Sequence, residues 1–226
     1  MSYPRVSVIV AVRNGERFLE QALQSIEKQT LEPFETLVID GHSTDRTADI
    51  ARSFSQVSYH LQVGKGIGDA YNCGIQLARG ELIAFLSHDD LWTPDKLETQ
   101  ATFMVDHPEV DFSLTHMKFF LEPGELPPPG FRESWLVGDQ AGQIMETLMV
   151  RPKVFECTGL FDTALSTGED LDWFARATDM GMSKAVIPQV LLHKRIHSTN
   201  LSLTTTENNQ NVLAALRRSI LRKRHG

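Results

Sequence analysis

Gly80-Glu81-Leu82-Ile83-Ala84-Phe85-Leu86-Ser87-His88-Asp89-Asp90 is the stretch that decides how this chain folds. Five consecutive apolar residues, Leu82–Leu86, predict a strand buried on both faces, the habit of parallel sheets covered by helices. The polar run Ser87-His88-Asp89-Asp90 then emerges where such a sheet opens its ligand crevice. Two adjacent carboxylates repel each other and are costly to desolvate. At a strand end they point to a hard cation, and a cation held by few carboxylates commonly holds substrate phosphates as well. The plainer alternative is that one acid caps the helix expected to start near Pro94.

Upstream of this stretch, strand and helix patterns alternate. Val6–Val12 is a near-continuous β-branched run, turned by Asn14-Gly15, and Phe18, Leu19, Ala22, Leu23 and Ile26 fall on one helical face. Thr36–Ile39 predicts a second buried strand ending in Asp40-Gly41. Ser43 or Thr44 can cap the next helix, whose Thr47, Ile50, Ala51 and Phe54 lie at i, i+3, i+4 and i+7. Val57–Gln62 is a weaker third strand. After Gly64–Gly68 a helix carries Ile67, Ala70, Tyr71, Gly74 and Ala78, and beyond the decisive strand Thr93-Pro94 opens another. This βαβαβαβ rhythm predicts an α/β fold with a mostly parallel central sheet flanked by helices. Right-handed crossovers bring the strand C-terminal ends, and with them Asn14, Asp40, Lys65 and Asp89-Asp90, to one rim.

Downstream the pattern loosens into a smaller mixed region. Val110–Leu114 and Lys118–Leu121 suggest a hairpin. Glu122–Gly130, with four prolines and two glycines, is a loop, either plain solvent loop or acceptor-side flap. Gly168-Glu169-Asp170 opens a helix with Leu171, Phe174, Ala175 and Thr178 inward. Two short β-like runs, Ala185–Ile187 and Val190–Ile196, precede a polar stretch and a final amphipathic helix from about Asn208 to Lys223. The expected division is a regular half at 1–108, a looser half of the same domain at 109–206, and a basic amphipathic helix at 207–226.

The chain's 226 residues suffice for a full core. Its 22 basic and 29 acidic side chains give a net charge of −7, which argues against a general nucleic-acid binder. The charge is unevenly spread: Arg217, Arg218, Arg222, Lys223 and Arg224 stand near the C-terminus without an acid among them. That helix could rest on an anionic membrane or pack on the domain or a second subunit. Cys73 and Cys157 are too few for a disulfide framework and are expected as small buried thiols. The first strand begins too soon for a signal peptide and no apolar run approaches a membrane span, so a cytoplasmic location is expected.

Several residue groups carry chemistry. Asp40, at a strand end, suits a ribose hydroxyl or a base N–H. Gly64-Lys65-Gly66-Ile67-Gly68 has the wrong spacing and place for a dinucleotide fingerprint, which disfavours NAD and S-adenosylmethionine folds. Lys65 could still reach a phosphate, or lie in a surface turn. Glu169-Asp170 either complements a helix dipole or mounts a carboxylate as general base. His197 is either structural or a third metal ligand beside carboxylates.

Taken together, Val6-Ser7-Val8-Ile9-Val10-Ala11-Val12-Arg13-Asn14, Val38-Ile39-Asp40-Gly41-His42-Ser43-Thr44-Asp45, Gly80-Glu81 through Asp89-Asp90, and Gly168-Glu169-Asp170 resemble the motifs of family 2 glycosyltransferases. The resemblance covers roughly residues 5–200 and implies that 1–108 is the nucleotide-sugar-binding half and 109–206 the acceptor and catalytic half. It implies the GT-A nucleotide-sugar-binding fold and inverting transfer of a sugar, UDP-linked by expectation, to a hydroxyl acceptor in surface polysaccharide or glycoconjugate synthesis. It implies that Ala11, Val12, Arg13, Asn14 and Glu16, with Asp40, hold the base and ribose, and that Lys65 and Asp69 enclose the base and diphosphate. Asp89 would touch ribose or sugar, and Asp90, with His197 as a further candidate ligand, would hold Mn²⁺ or Mg²⁺. Asp170 would be the base, with Glu169 orienting it. The acceptor would be a saccharide or a lipid-linked one, and a homodimer is compatible. The chain departs from the family pattern at Ala11-Val12-Arg13, at His42, where glycine is usual, and at Gly68 before Asp69. A sugar nucleotidyltransferase and a non-catalytic nucleotide-sugar-binding module are the competing readings. The first would need a glycine-rich basic loop after the first strand, and the second has no use for a base.

Overall fold

The computed structural model describes residues 3–129 and 131–200, so the expected C-terminal helix and basic tail lie outside the described residues. Strand β1 (Val6–Val12) is buried along its whole length because it sits between two parallel neighbours, β2 (Glu35–Asp40) and β4 (Leu82–Ser87). β3 (Val57–Leu61) adds to the far side of β2, also parallel. Alternation sorts the side chains of β1 to two faces. Val6, Val8, Val10 and Val12 join α1 (Leu19–Glu27) and α4 (Lys96–Asp106) in one core. Ile9 and Ala11 join α3 (Ile67–Leu77) in the other. Each fully buried aliphatic side chain contributes about 1.5–3 kcal/mol relative to exposure, so this central strand is where the rim is most firmly anchored. Gly74 lets α3 lie close: a Cβ there would come 2.5 Å from the Cγ2 of Ile9.

The second half extends the same sheet. Among the described residues the order is β3-β2-β1-β4-β8-β6-β9-β5, with β7 (Gln140–Ala141) attached to β6. β8 (Met149–Val150) is antiparallel to β4 and to β6 (Phe112–Phe120). β9 (Lys184–Arg195) runs parallel to β6 and antiparallel to the two-residue β5 (Leu91–Trp92). The expected hairpin does not form: its two halves lie in the single strand β6. Likewise the two short runs after Met182 are one strand, β9. Thr115 pairs with Ile187 and His116 with Val190, which leaves Pro188 and Gln189 outside the ladder. A bulge at that point accommodates a proline, which cannot donate to a ladder.

Helix α5 (Lys153–Thr158) and α6 (Glu169–Asp179) cover the second core. The inward face of α6 is Trp173, Phe174 and Ala177, whereas Leu171, expected inward, is exposed. Helix α2 (Thr47–Ser53) is not capped by Ser43 or Thr44; Asp45 receives the Thr47 N–H at 3.0 Å instead. Cys157, expected buried, is exposed, and Cys73 is half-buried. The loop after β6 is pinned at two points. Glu122 pairs with Arg195, and Glu125 meets Arg17 at 2.6 Å. No helix of the described residues is long and apolar enough to cross a membrane.

Candidate active site

The C-terminal ends of β1, β2 and β4 form one rim, and polar side chains stitch its loops together. Asn14 adopts a left-handed backbone (φ 53°) that turns the chain out of β1. Its N–H donates to Ser43 Oγ at 2.7 Å, and its Oδ1 accepts the Thr44 N–H at 2.9 Å. Glu16 is tied to the same loop, its N–H donating to Asp45 at 3.0 Å. Arg13 is exposed beside Gly41, while Ala11 and Val12 are buried in the strand and can offer the crevice only backbone.

Asp40 faces inward. Its Oδ1 accepts from the Ser43 hydroxyl at 2.6 Å and the Ser43 N–H at 2.9 Å, and its Oδ2 accepts from the Tyr59 hydroxyl at 2.6 Å. Burial and this carboxylate push the Tyr59 phenol up to about 12. Asp40 therefore fastens the rim more than it presents a free acceptor. Asp69 closes the glycine-rich loop by accepting the Gly64 N–H at 2.8 Å, and Lys65 stands exposed at its tip.

The acid pair divides in a way the sequence does not anticipate. Pairing of β5 with β9 folds the Asp89-Asp90 turn against the end of β9. Asp90 goes beneath the rim with no exposure, its Oδ2 2.9 Å from Lys194 Nζ and its Oδ1 accepting the Arg195 N–H at 2.8 Å. Burial pushes its carboxyl up, against the pull of Lys194. Asp89 remains at the crevice, its Oδ2 2.9 Å from His197 Nε2. Asn200 donates to the same oxygen at 3.3 Å and accepts the His197 N–H at 2.7 Å, while Thr199 Oγ lies 2.8 Å from His197 Nδ1. Burial would raise Asp89, but the His197 hydrogen bond and nearby positive charge outweigh it and hold the carboxyl below its ordinary range. The residue brought to His197 is thus Asp89, and the expectation that Asp90 is the metal-facing acid does not fit its burial.

Among the described residues no cluster of three or more His, Cys, Asp or Glu forms a closed metal cage. One carboxylate beside one imidazole does fit a hard cation that takes its remaining ligands from water and substrate phosphates.

Helix α6 presents the second acid pair, near enough to Glu146 and Lys194 for their charges to act on Asp170. Gly168 (φ 75°) takes the left-handed turn that starts the helix, a conformation costly for other residues. Glu169 is buried, and burial together with the Asp170 charge raises its carboxyl to about 8. Asp170 accepts the Leu171 N–H at 2.7 Å, and burial raises it to about 6. The ordinary value for the glutamate is 4.5. As pH rises, the unfolded chain therefore sheds this proton before the folded one does, and stability is lost between about pH 4 and pH 8. Glu169→Gln removes that loss. Its melting temperature should exceed the parent's at pH 8 and match it at pH 4 in a thermal-shift assay.

Two further groups belong to the site and were not singled out from sequence. Glu146, on the 3₁₀ turn Met145–Thr147, accepts the Ser87 hydroxyl and lies 3.4 Å from Lys194 Nζ. Lys194 bridges Asp90 and Glu146, and those carboxylates hold it protonated. The only available signals were an acid inside a mostly apolar run, Ile144–Val150, and a basic pair closing a strand.

This geometry can now be set beside known proteins. The sequence profile described as Glycosyl transferase family 2 matches residues 7–167. The chain belongs to glycosyltransferase family 2. An uncharacterised glycosyltransferase of Rickettsia typhi is 30% identical to this family 2 chain over 222 residues, covering 90% of the chain and 69% of the relative. A crystal structure of S. aureus TarS 1-349 with UDP-GlcNAc superposes with a TM-score of 0.77 at 20% identity, covering 96% of the chain and 66% of TarS. The mannosyltransferase PcManGT of Pyrobaculum calidifontis, in complex with GDP-Man and Mn²⁺, gives 0.73 at 20% identity, over 97% and 65%. The family 2 chain thus spans about two thirds of the length of these proteins, and its fold is GT-A.

Proposed function

We propose that the chain transfers a sugar from a nucleoside-diphosphate donor to an acceptor hydroxyl with inversion at the anomeric carbon. The observation that carries this is the Asp89–His197 pair at the strand ends and Asp170 at the start of α6, linked through Lys194 and Glu146, whose charges act on Asp170 while Lys194 also acts on Asp89. In this reading the loops at Arg13–Glu16 and Gly64–Asp69 receive the nucleotide. Asp89 and His197 would hold Mn²⁺ or Mg²⁺, and the chemistry a bound cation supplies is neutralisation of charge on the departing diphosphate. Asp170, a carboxylate largely ionised at neutral pH, takes the acceptor hydroxyl's proton. The acceptor oxygen bonds the anomeric carbon as the carbon–oxygen bond to the diphosphate breaks. The nucleoside diphosphate then leaves with that bonding electron pair.

Asp90 is proposed here as the buried support of the site, not as a ligand. The complexes of TarS with UDP-GlcNAc and of PcManGT with GDP-Man support a nucleotide-sugar donor, and UDP is the carrier we favour. A saccharide or lipid-linked hydroxyl in a surface polysaccharide or glycoconjugate is the proposed acceptor. The test is a panel of UDP- and GDP-sugars incubated with protein and Mn²⁺, scored by release of free nucleoside diphosphate. One sugar nucleotide should be hydrolysed slowly, and faster once a suitable acceptor is supplied. Absence of binding and hydrolysis across the whole panel would overturn the proposal.

A further inference from the structure

Inversion requires the nucleophile and the leaving group to stand on opposite faces of the anomeric carbon. In the reaction proposed above, the transferred sugar must therefore lie between the diphosphate at Asp89 and His197 and the base at Asp170. Glu146, itself largely buried, is within reach of groups on both sides of that position. Its side chain meets Ser87, at the end of β4, and Lys194, which in turn holds Asp90. On its other side it is close enough to Glu169 and Asp170 for its charge to raise both.

The residue is mounted at both ends. Its backbone carbonyl accepts the Trp92 indole N–H at 3.0 Å, and its side chain is fixed by the Ser87 hydroxyl and the Lys194 ammonium. Both side-chain contacts fall on Oε1. A carboxylate can accept about four hydrogen bonds, so Oε2 retains its acceptor capacity. A half-neutralised, rigid carboxylate of this kind suits a neutral hydroxyl donor; a phosphate would be repelled. A sugar ring offers several such hydroxyls, and their orientation distinguishes one hexose from another.

We propose that Glu146, oriented by Ser87 and Lys194, accepts a hydrogen bond from a hydroxyl of the transferred sugar and so helps decide which donor sugar is used. The assignment rests on the donor and base reading given above. A polar group built to pair with one substrate hydroxyl discriminates strongly against a substrate that leaves it unpaired.

The experiment is calorimetric titration, with Mn²⁺ present, of UDP, GDP, UDP-glucose, UDP-GlcNAc and GDP-mannose into the parent, Glu146→Ala and Glu146→Gln. Glu146→Ala should bind the nucleoside diphosphate within about twofold of the parent and bind its preferred sugar ester about ten- to hundredfold more weakly. Glu146→Gln keeps the side-chain size and the Ser87 contact and should lie between. It carries the comparison if the alanine variant does not fold. Equal weakening of diphosphate and sugar ester, or no weakening of either, overturns the Glu146 assignment alone. A parent that binds none of the five nucleotides overturns the donor reading, and the assignment with it.

Discussion

Asp170→Asn should bind the nucleotide sugar as the parent does and transfer it about 10²–10⁴-fold more slowly, the usual contribution of a positioned general base. The substitution is nearly isosteric, and an amide oxygen can still accept the Leu171 N–H that orients the side chain at the start of α6. What it loses is the ability to take a proton. Loss should therefore fall on kcat, with donor affinity preserved. Full transfer by Asp170→Asn would remove the residue from its role. The parent carries a second signature of the same assignment. Burial lifts Asp170 to about 6, so kcat/KM should fall as pH drops through that value and the carboxylate protonates.

Asp90→Ala and Asp89→Ala should fail in different ways, although the residues are neighbours. Asp90 is wholly buried, and Lys194 Nζ is 2.9 Å away. Removing Asp90 leaves Lys194 only the longer 3.4 Å contact with Glu146 and leaves the Arg195 N–H without its acceptor, at a cost of about 3 kcal/mol. In a domain of this size that is on the order of 10 °C in melting temperature. Asp89 is the shared acceptor of His197 and Asn200, so its replacement should lower melting as well. What should set it apart is loss of the Mn²⁺ dependence of nucleotide binding, measured by titration and by the spin-resonance signal of free Mn²⁺. The reverse pattern, a stable Asp90→Ala without metal response and a metal-responsive Asp89→Ala, would restore Asp90 as the ligand.

The contrast between these neighbours shows how far local sequence reaches. β1, β2 and β4 are legible because burial on both faces demands uninterrupted apolar runs such as Val8-Ile9-Val10. Gly168-Glu169-Asp170 is legible as a helix start, because a left-handed glycine followed by two acids complements the helix dipole, whereas the role of base comes from the family resemblance. The division of Asp89 from Asp90 is not legible, because it is made by β5, two residues long, pairing with a strand a hundred residues away. Thr115-His116-Met117 looked like a break between two strands for a related reason. β6 continues through it only because β9 sheds Pro188 and Gln189 from the ladder. Glu146 gives no local sign either; its meaning depends on Ser87 and Lys194, which the fold brings from both sides.

The Asp90–Lys194 contact also bears on how the chain holds together. It joins residues 104 positions apart, and beside it Arg195 donates to the backbone of Asp89 and to Gln21. A chain cut near residue 108 would strand a buried carboxylate without its cation and leave the β4 edge, where β8 pairs, open to other chains. The two halves differ in topology, yet they share one sheet, closed by a lock whose two parts lie 104 residues apart in the sequence.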